Sequence, residues 1–130
     1  MVTTTKIDDR IGDFVNRLKN ASAVNKTTVS VAHTKVLQAV AEVLEQEGYL
    51  SSVAKTGKGV AKTLEVEIAK PIKYVKRVSK PSRRLYTSAA KAPAGRGGQG
   101  ITVLSTPKGV MTSRQAKTDH VGGEILFTLV

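Results

Sequence analysis

The sequence predicts an α+β fold of two small lobes. Two segments of the first seventy residues carry apolar side chains at helical spacing, and short alternating or continuous apolar stretches lie between and after them. A chain of 130 residues with 40% hydrophobic residues can build one core, whereas two separate halves would each be marginally stable. We therefore expect an N-terminal α-β-α-β-β lobe over residues 1–70 and a mainly β C-terminal lobe with a short helix over residues 71–130, sharing an interface.

The N-terminal lobe should begin with an amphipathic helix over residues 6–20, because apolar residues recur there at steps of three and four. A short strand follows over residues 27–32, where valines alternate with polar residues. The second helix spans residues 35–47 and ends at Gly48, a residue that suits a left-handed helix cap. Its predicted buried face comprises Val36, Leu37, Val40, Val43 and Leu44.

A β-hairpin should complete the N-terminal lobe. Residues 49–54 form its first strand, and the glycine-containing segment 56–59 forms its turn. Residues 64–68 return with apolar side chains alternating with glutamates, as in a half-buried strand. Pro71 then marks a change of composition, which places the boundary between the lobes at residues 70 and 71.

The C-terminal lobe should contain short strands separated by turns. The predicted strands cover residues 72–78, 83–87, 101–104 and 124–130. Residues 79–82 form a turn, and residues 89–94 form a brief helical turn before a glycine-rich segment. Thr112 and Gln115 have the spacing of a capping box, which predicts a short helix through Lys117.

Charge is distributed unevenly along the chain. From residue 70 to the end there are twelve Lys and Arg residues and only two carboxylates, Asp119 and Glu124. Residues 1–69 hold nine basic and eight acidic residues, so nearly all of the net charge of +11 lies at residues 70–130. So many unpaired positive charges indicate a polyanionic partner, and nucleic acid is the commonest one.

The sequence lacks the patterns that catalysis or metal binding require. It contains no cysteine, and His33 and His120 are isolated, so we expect no metal and no cofactor. Segment 95–100 matches the dinucleotide-binding fingerprint in letters, but a strand rather than a helix follows it. Asp119 and His120 near Ser113 do not make a triad by sequence adjacency. Because these patterns are missing, we expect that the chain is not an enzyme. No apolar run is long enough to cross a membrane, so we also expect that it is not membrane-bound.

Three segments of the C-terminal lobe are candidates for contact with nucleic acid. They are Ser105, Thr106, Lys108 and Gly109, then Arg84 and Tyr86, and then Gly122, Gly123 and Glu124. The first group is either an ordinary turn or a set of hydroxyl, ammonium and N–H donors for phosphate. The second is either a solvated arginine beside a cross-strand tyrosine or a cation and a ring that bind RNA together. The two glycines permit a close backbone approach, and Glu124 either forms a plain ion pair or accepts from a base.

Several of these segments, taken in order, resemble a known family. They are ITVLSTPKGVMT (101–112), VGGEI (121–125), RVSKP (77–81) and RLY (84–86), together with Ile11, Asp13, Arg17 and Asn20 of the first helix. This pattern resembles the bacterial small-subunit ribosomal protein S eight family over nearly the whole chain. The resemblance implies a non-enzymatic cytoplasmic protein that packs an α/β part against a β-rich part and forms part of the small ribosomal subunit.

The resemblance also implies the partners and the contacts. The chain would be a monomer before assembly, bind the central domain of small-subunit ribosomal RNA early and directly, and meet neighbouring small-subunit proteins. It would in some bacteria repress its own operon by binding the messenger. The contacts carried over are the three segments above, with smaller N-terminal contacts at Thr34, Lys35, Thr4 and Thr5.

Two departures and one alternative accompany this resemblance. Pro107 occupies a position where the family commonly has a further hydroxyl, and His33 replaces what is often a small hydroxyl residue. Pro107 affects the fine geometry of the main RNA-binding loop, but not the assignment. The alternative interpretation is a general DNA-binding protein, which would bind duplex DNA and bulged RNA with similar affinity.

Overall fold

The computed structural model describes residues 10–58, 61–79, 83–88 and 100–130. Within these residues the chain forms three helices and eight strands, in the order expected for an α+β fold. The helices are α1 (Arg10–Ala23), α2 (Lys35–Gln46) and α3 (Ser113–Asp119). The strands are β1 (Thr28–Ala32), β2 (Leu50–Lys58), β3 (Ala61–Ile68), β4 (Val75–Arg77), β5 (Tyr86–Thr87), β6 (Ile101–Thr106), β7 (Gly109–Thr112) and β8 (Gly123–Leu129).

The first sheet is antiparallel, with β3 between β1 and β2. Val66 on β3 is paired with Val29 on one side and with Val53 on the other, so one face of the sheet is apolar. The helices α1 and α2 contact this sheet and also strands of the second sheet. Both helices therefore lie between the two sheets and connect them.

Two predictions for the N-terminal lobe are wrong. The expected turn at residues 56–59 does not begin at Thr56, because the β2–β3 ladder continues to the pair Lys58 and Ala61. Gly57 adopts a φ of 100° within this ladder, a conformation open to glycine, so the strand passes through it. Val36 is 48% exposed instead of buried, because it lines a groove between the lobes, while Ala41 is fully buried on α2.

The second sheet is built around β8. Strand β6 pairs with one edge of β8, whereas β4 and β5 pair with opposite ends of its other edge, and β7 extends the sheet beyond β6. The terminal strand and the buried strand at residue 101 confirm their predictions. The predicted strand at 72–78 is shorter, because the N–H groups of Lys73 and Tyr74 both donate to the Val130 carbonyl. Strand β7 was missed.

The helix α3 begins as its capping residues predict. The Thr112 hydroxyl accepts a hydrogen bond from the Gln115 N–H at 3.2 Å. The Gln115 side chain does not turn back to Thr112, but donates instead to Asp119 at 3.0 Å, so half of the capping box forms. Gly48 has a φ of 89°, which confirms the left-handed cap after α2.

One hydrophobic core joins the two lobes. Phe14, Leu18 and Val40 belong to the same buried cluster as Val103 and Phe127 of the second sheet. Each of these side chains is no more than 1% exposed. Because the buried cluster draws side chains from both lobes, neither lobe has a complete core by itself. Burial of such side chains is the main favourable contribution to folding.

Some predictions lie outside the described residues. They are the start of the first helix, the contacts at Thr4 and Thr5, most of the 79–82 turn, the whole helical turn at 89–94, and most of the glycine segment. No helix in the described part of the chain combines the length and the apolar character that crossing a membrane requires.

Candidate nucleic-acid interface

The β6–β7 hairpin presents the first candidate segment. Thr106 and Gly109 are paired at its end, and Pro107 and Lys108 form an exposed two-residue turn between them. The Thr106 hydroxyl donates to the Gly109 carbonyl at 2.8 Å and accepts from the Lys108 N–H at 3.1 Å. Gly109 has a φ of 121°, a left-handed conformation that favours glycine. The Thr106 hydroxyl thus holds the turn, while the Lys108 ammonium is available at its tip.

Gly123 confirms the predicted close backbone approach. A Cβ atom built on Gly123 would lie 2.1 Å from the carbonyl oxygen of Ser105. Strand β8 can therefore enter the sheet beside the end of β6 only with glycine at this position. Gly122, immediately before this strand, is half-buried. The close approach brings the third candidate segment against the first.

Three candidate residues lie in one row across the sheet. Glu124 on β8 is paired with Ser105 on β6 and with Tyr86 on β5. Directly paired residues project from the same face of a sheet, about 5 Å apart at Cα. Tyr86 is 70% exposed, so its ring is free to stack on a ligand. The row combines a hydroxyl, a carboxylate and an aromatic ring on one surface.

Arg84 and Glu124 form an ion pair. This was one of the two roles that the sequence left open for Glu124. Nη1 of Arg84 lies 3.1 Å from Oε2 of Glu124, and the two side chains are 39% and 16% exposed. The backbone beside Arg84 is also fixed, because the buried Ser79 hydroxyl accepts from the Leu85 N–H at 2.8 Å and donates to its carbonyl at 3.1 Å. Arg84 and Tyr86 flank this anchored residue.

A groove of about 400 Å³ separates the two lobes at this surface, and we call it the interlobe groove. It is lined by Arg10, Ile11, Thr34, Lys35, Val36, Arg84, Ser105, Val110, Glu124 and Leu126. Three cations and one carboxylate thus surround an apolar floor. This arrangement suits a ligand that has both phosphate oxygens and apolar ring or sugar surfaces.

Thr34 and Lys35 contribute to the groove as the start of a helix. The Thr34 hydroxyl caps α2 by accepting from the Leu37 N–H at 3.1 Å. The remaining N–H groups of the first turn have no intrahelical acceptor, and the helix dipole adds positive potential there. Thr34 therefore acts through the orientation of α2, whereas the Lys35 ammonium adds charge directly.

The structure brings five of the predicted residues together around one groove: Thr34, Lys35, Arg84, Ser105 and Glu124. Sequence reasoning missed Arg10 and Val36, which line the same groove, and Ser79, which anchors the strand of Arg84. The position of Arg10 on the polar face of α1 was a signal, but a solvated surface has the same pattern. Ser79 lies in the RVSKP segment that resembles the family, but its position suits an ordinary turn residue equally well.

The residues considered for catalysis or metal binding do not converge. Ser113 lies at the start of α3 and Asp119 at its end, and His120 forms the left-handed cap that follows. His33 contacts Gln38 at 2.6 Å, which satisfies one ring nitrogen. In the described segments, no three His, Cys, Asp or Glu side chains are grouped so that they could hold a metal ion.

Comparison with known proteins is consistent along the whole chain. The family described as ribosomal protein S8 matches residues 9–129. Small ribosomal subunit protein uS8 of Rippkaea orientalis is 41% identical over 126 residues, which cover 92% of this chain and 95% of that protein. The uS8 proteins of Ruthia magnifica and Rhizobium meliloti are 38% and 40% identical, and the matches cover 95% and 93% of this chain and 98% and 96% of those proteins. The chain therefore belongs to the ribosomal protein S8 family.

Proposed function

We propose that this chain is a structural constituent of the small ribosomal subunit and binds the central domain of small-subunit ribosomal RNA directly. Its relatives are named as small-subunit proteins, and the family is one of ribosomal proteins, not enzymes. The RNA would lie across the interlobe groove and against the β6–β7 hairpin. The RNA would contact the candidate residues described above at the groove and the hairpin. Gly122, Gly123 and Gly109 would shape the backbone around them.

The observation that carries this proposal is the row of Ser105, Glu124 and Tyr86 beside the groove. A surface that only neutralised charge would need cations alone, but this one places a hydroxyl, a carboxylate and an exposed ring together. A carboxylate repels phosphate, so Glu124 has one of two other uses. It can accept a hydrogen bond from a base amino group, or it can hold an arginine of the protein in place. Such a surface is suited to an irregular RNA helix with accessible bases.

The mechanism is binding without chemistry. A-form RNA hides its base edges in a deep major groove, so a protein contacts 2′-OH groups, the shallow minor groove and unpaired bases. Lys35, Lys108 and Arg84 would supply affinity by releasing counterions from phosphates. Ser105 and Tyr86 would supply register, through a hydroxyl contact and through stacking.

Filter binding tests the proposal. The full chain is titrated with small-subunit ribosomal RNA, a random-sequence RNA helix and duplex DNA, over a series of salt concentrations. We expect the ribosomal RNA to bind most tightly. Ser105→Ala should reduce the difference in binding free energy between specific and random RNA by about 1–2 kcal/mol. An unchanged ratio would contradict the role of Ser105, and equal affinity for DNA would favour a general DNA-binding protein.

Repression of its own operon would use the same surface. A messenger that copies the irregular RNA helix would compete for the interlobe groove, and no second site is needed. A competition assay with the leader of the chain's own messenger tests this, since binding to both RNAs should respond equally to Ser105→Ala. We also propose that the chain is monomeric before it meets the RNA and neighbouring small-subunit proteins, and that residues 1–70 and 71–130 form its two lobes.

A further inference from the structure

A second polar cavity lies between the lobes, and we call it the α3 cavity. Its volume is about 450 Å³, which is within the usual range of small-ligand sites. The residues that line it include Lys70, Arg114, Lys117, Glu47, Tyr49 and Ser113. Like the interlobe groove, it has three cations and one carboxylate, so its local charge is positive. None of these residues belongs to the interface proposed above.

The α3 cavity lies at the far end of the seam between the lobes. Helix α2 begins at the interlobe groove with Lys35 and ends beside Glu47, which lines the α3 cavity. Strand β6 likewise starts at the α3 cavity with Ile101 and reaches the groove with Ser105. A helix of this length spans about 18 Å, so the two sites are separate.

Two of the three cations of the α3 cavity have a contact that orients them. Arg114 Nη2 lies 3.2 Å from Oε1 of Glu47, and the Arg114 side chain is nevertheless 81% exposed. The Lys70 ammonium lies over the Tyr49 ring, 5.0 Å from its centre. Lys117 is exposed and has no carboxylate partner among the described residues. Glu47 is thus neutralised by Arg114, and two ammonium groups remain.

The hydroxyls of two largely buried residues complete the site. Tyr49 and Ser113 are each 3% exposed and line the cavity. Within the described part of the chain, neither hydroxyl has a hydrogen-bond partner. Burial, and to a lesser extent the charge of Glu47, raise the pKa of Tyr49, so its phenol stays protonated and can donate. Neither oxygen is among the buried, unsatisfied side-chain atoms of the described residues, so both reach the open cavity and can donate to a ligand that accepts.

We propose that the α3 cavity binds a backbone phosphate from a second segment of RNA, remote from the segment in the interlobe groove. A phosphate offers several acceptor oxygens at one centre, which matches a cavity lined by both ammonium groups and hydroxyl donors. This inference rests on the proposed RNA-binding function and extends it. One molecule would then hold two RNA segments at opposite ends of its seam, and so fix their separation.

Direct binding is tested with inorganic phosphate as the probe. The full ¹⁵N-labelled chain is titrated with phosphate, and amide shifts are followed in two-dimensional NMR spectra. We expect saturable shifts at Ser113 and Arg114, which Lys117→Ala weakens several-fold and Lys55→Ala leaves unchanged. Lys55 is an exposed lysine on β2 that lines neither site. Shifts spread evenly over all lysine-rich surfaces would overturn the proposal.

The RNA source of the phosphate is tested by ethylation interference on small-subunit ribosomal RNA bound to the full chain. Two separate clusters of sensitive phosphates are expected, of which Lys117→Ala removes one and Lys108→Ala removes part of the other. Lys117→Ala should also lower the salt slope of binding by about one unit. An unchanged pattern with Lys117→Ala overturns this inference, while a response to Lys108→Ala leaves the proposed function intact. If a polyglutamate peptide shifts Ser113 but RNA does not, the cavity takes an acidic protein segment and the proposal is wrong.

Discussion

The guanidinium of Arg84 lies 3.1 Å from the carboxylate of Glu124, between the exposed ring of Tyr86 and the end of β6. Forty residues separate the pair in the chain, and the sheet brings them together. The pair is partly exposed, so its direct contribution to stability is small, at most about 1 kcal/mol. The pair instead orients the Arg84 guanidinium at the edge of the interlobe groove.

Glu124→Gln should lower the selectivity of RNA binding. The amide keeps the shape of the side chain but loses the charge that attracts Arg84, so the guanidinium is oriented less strictly and can approach phosphates less selectively. We expect the affinity for random RNA to rise two- to five-fold, which corresponds to about 0.4–1 kcal/mol, and the ratio of specific to random binding to fall. Filter binding measures both, and a ratio equal to that of the unmodified chain would contradict the role of the pair.

Thr106→Ala should destabilise the β6–β7 turn. The hydroxyl donates to Gly109 and accepts from Lys108, so the substitution leaves two backbone groups without their partner. We expect a loss of about 1–2 kcal/mol in the free energy of unfolding and weaker binding to RNA. Thr106→Ser keeps the hydroxyl and should restore most of both. Urea denaturation followed by circular dichroism measures the first effect, and equal values for the two variants would refute the assignment.

Gly123→Ala should disturb both the fold and the interface. The new Cβ would lie 2.1 Å from the Ser105 carbonyl, so β8 and the end of β6 would have to separate. Overpacking of this kind costs about 1–3 kcal/mol. The matched control is Gly48→Ala, which is strained by its φ of 89° but meets no atom within 4 Å. Both variants should lose stability, yet only Gly123→Ala should also lose selectivity for ribosomal RNA.

Ser79→Ala should affect RNA binding from inside the protein. Its buried hydroxyl bonds both the N–H and the carbonyl of Leu85, and the alanine variant leaves that N–H unpaired. We expect a cost of about 1–3 kcal/mol in the free energy of unfolding. Because Leu85 lies between Arg84 and Tyr86, RNA affinity should fall as well. Ser88→Ala, an exposed position near the end of the same segment, should change neither quantity.

The stability of the chain should fall above pH 10 because of Tyr49. Its pKa is raised by burial and by Glu47 from the ordinary value of 10.0, so the folded state favours the protonated phenol. That contribution is complete below pH 10 and is lost as pH rises through the higher pKa of the folded state. Tyr49→Phe should therefore lose less stability than the unmodified chain between about pH 8 and pH 11. Tyr86→Phe, at an exposed site, should follow the unmodified chain.

Local patterns predicted most of the elements. The helical spacing of apolar residues located α1 and α2, and the capping residues Thr112 and Gly48 located one helix start and one helix end. These signals are local, because helix periodicity and capping involve residues within a few positions of one another. The β7 strand was missed for the opposite reason: its pairing with β6 depends on a two-residue turn, which the sequence presented as a longer loop.

The sequence alone determined that the chain is α+β, that its C-terminal part carries the positive charge, and which short segments could meet RNA. Only the tertiary structure decided that Ser105, Glu124 and Tyr86 form one row, that Val36 faces a groove, and that a second cavity lies at the other end of α2. The physical reason is that strand register and lobe packing join residues far apart in the chain. Periodicity fixes which face of an element is apolar, but it does not fix which distant element covers that face.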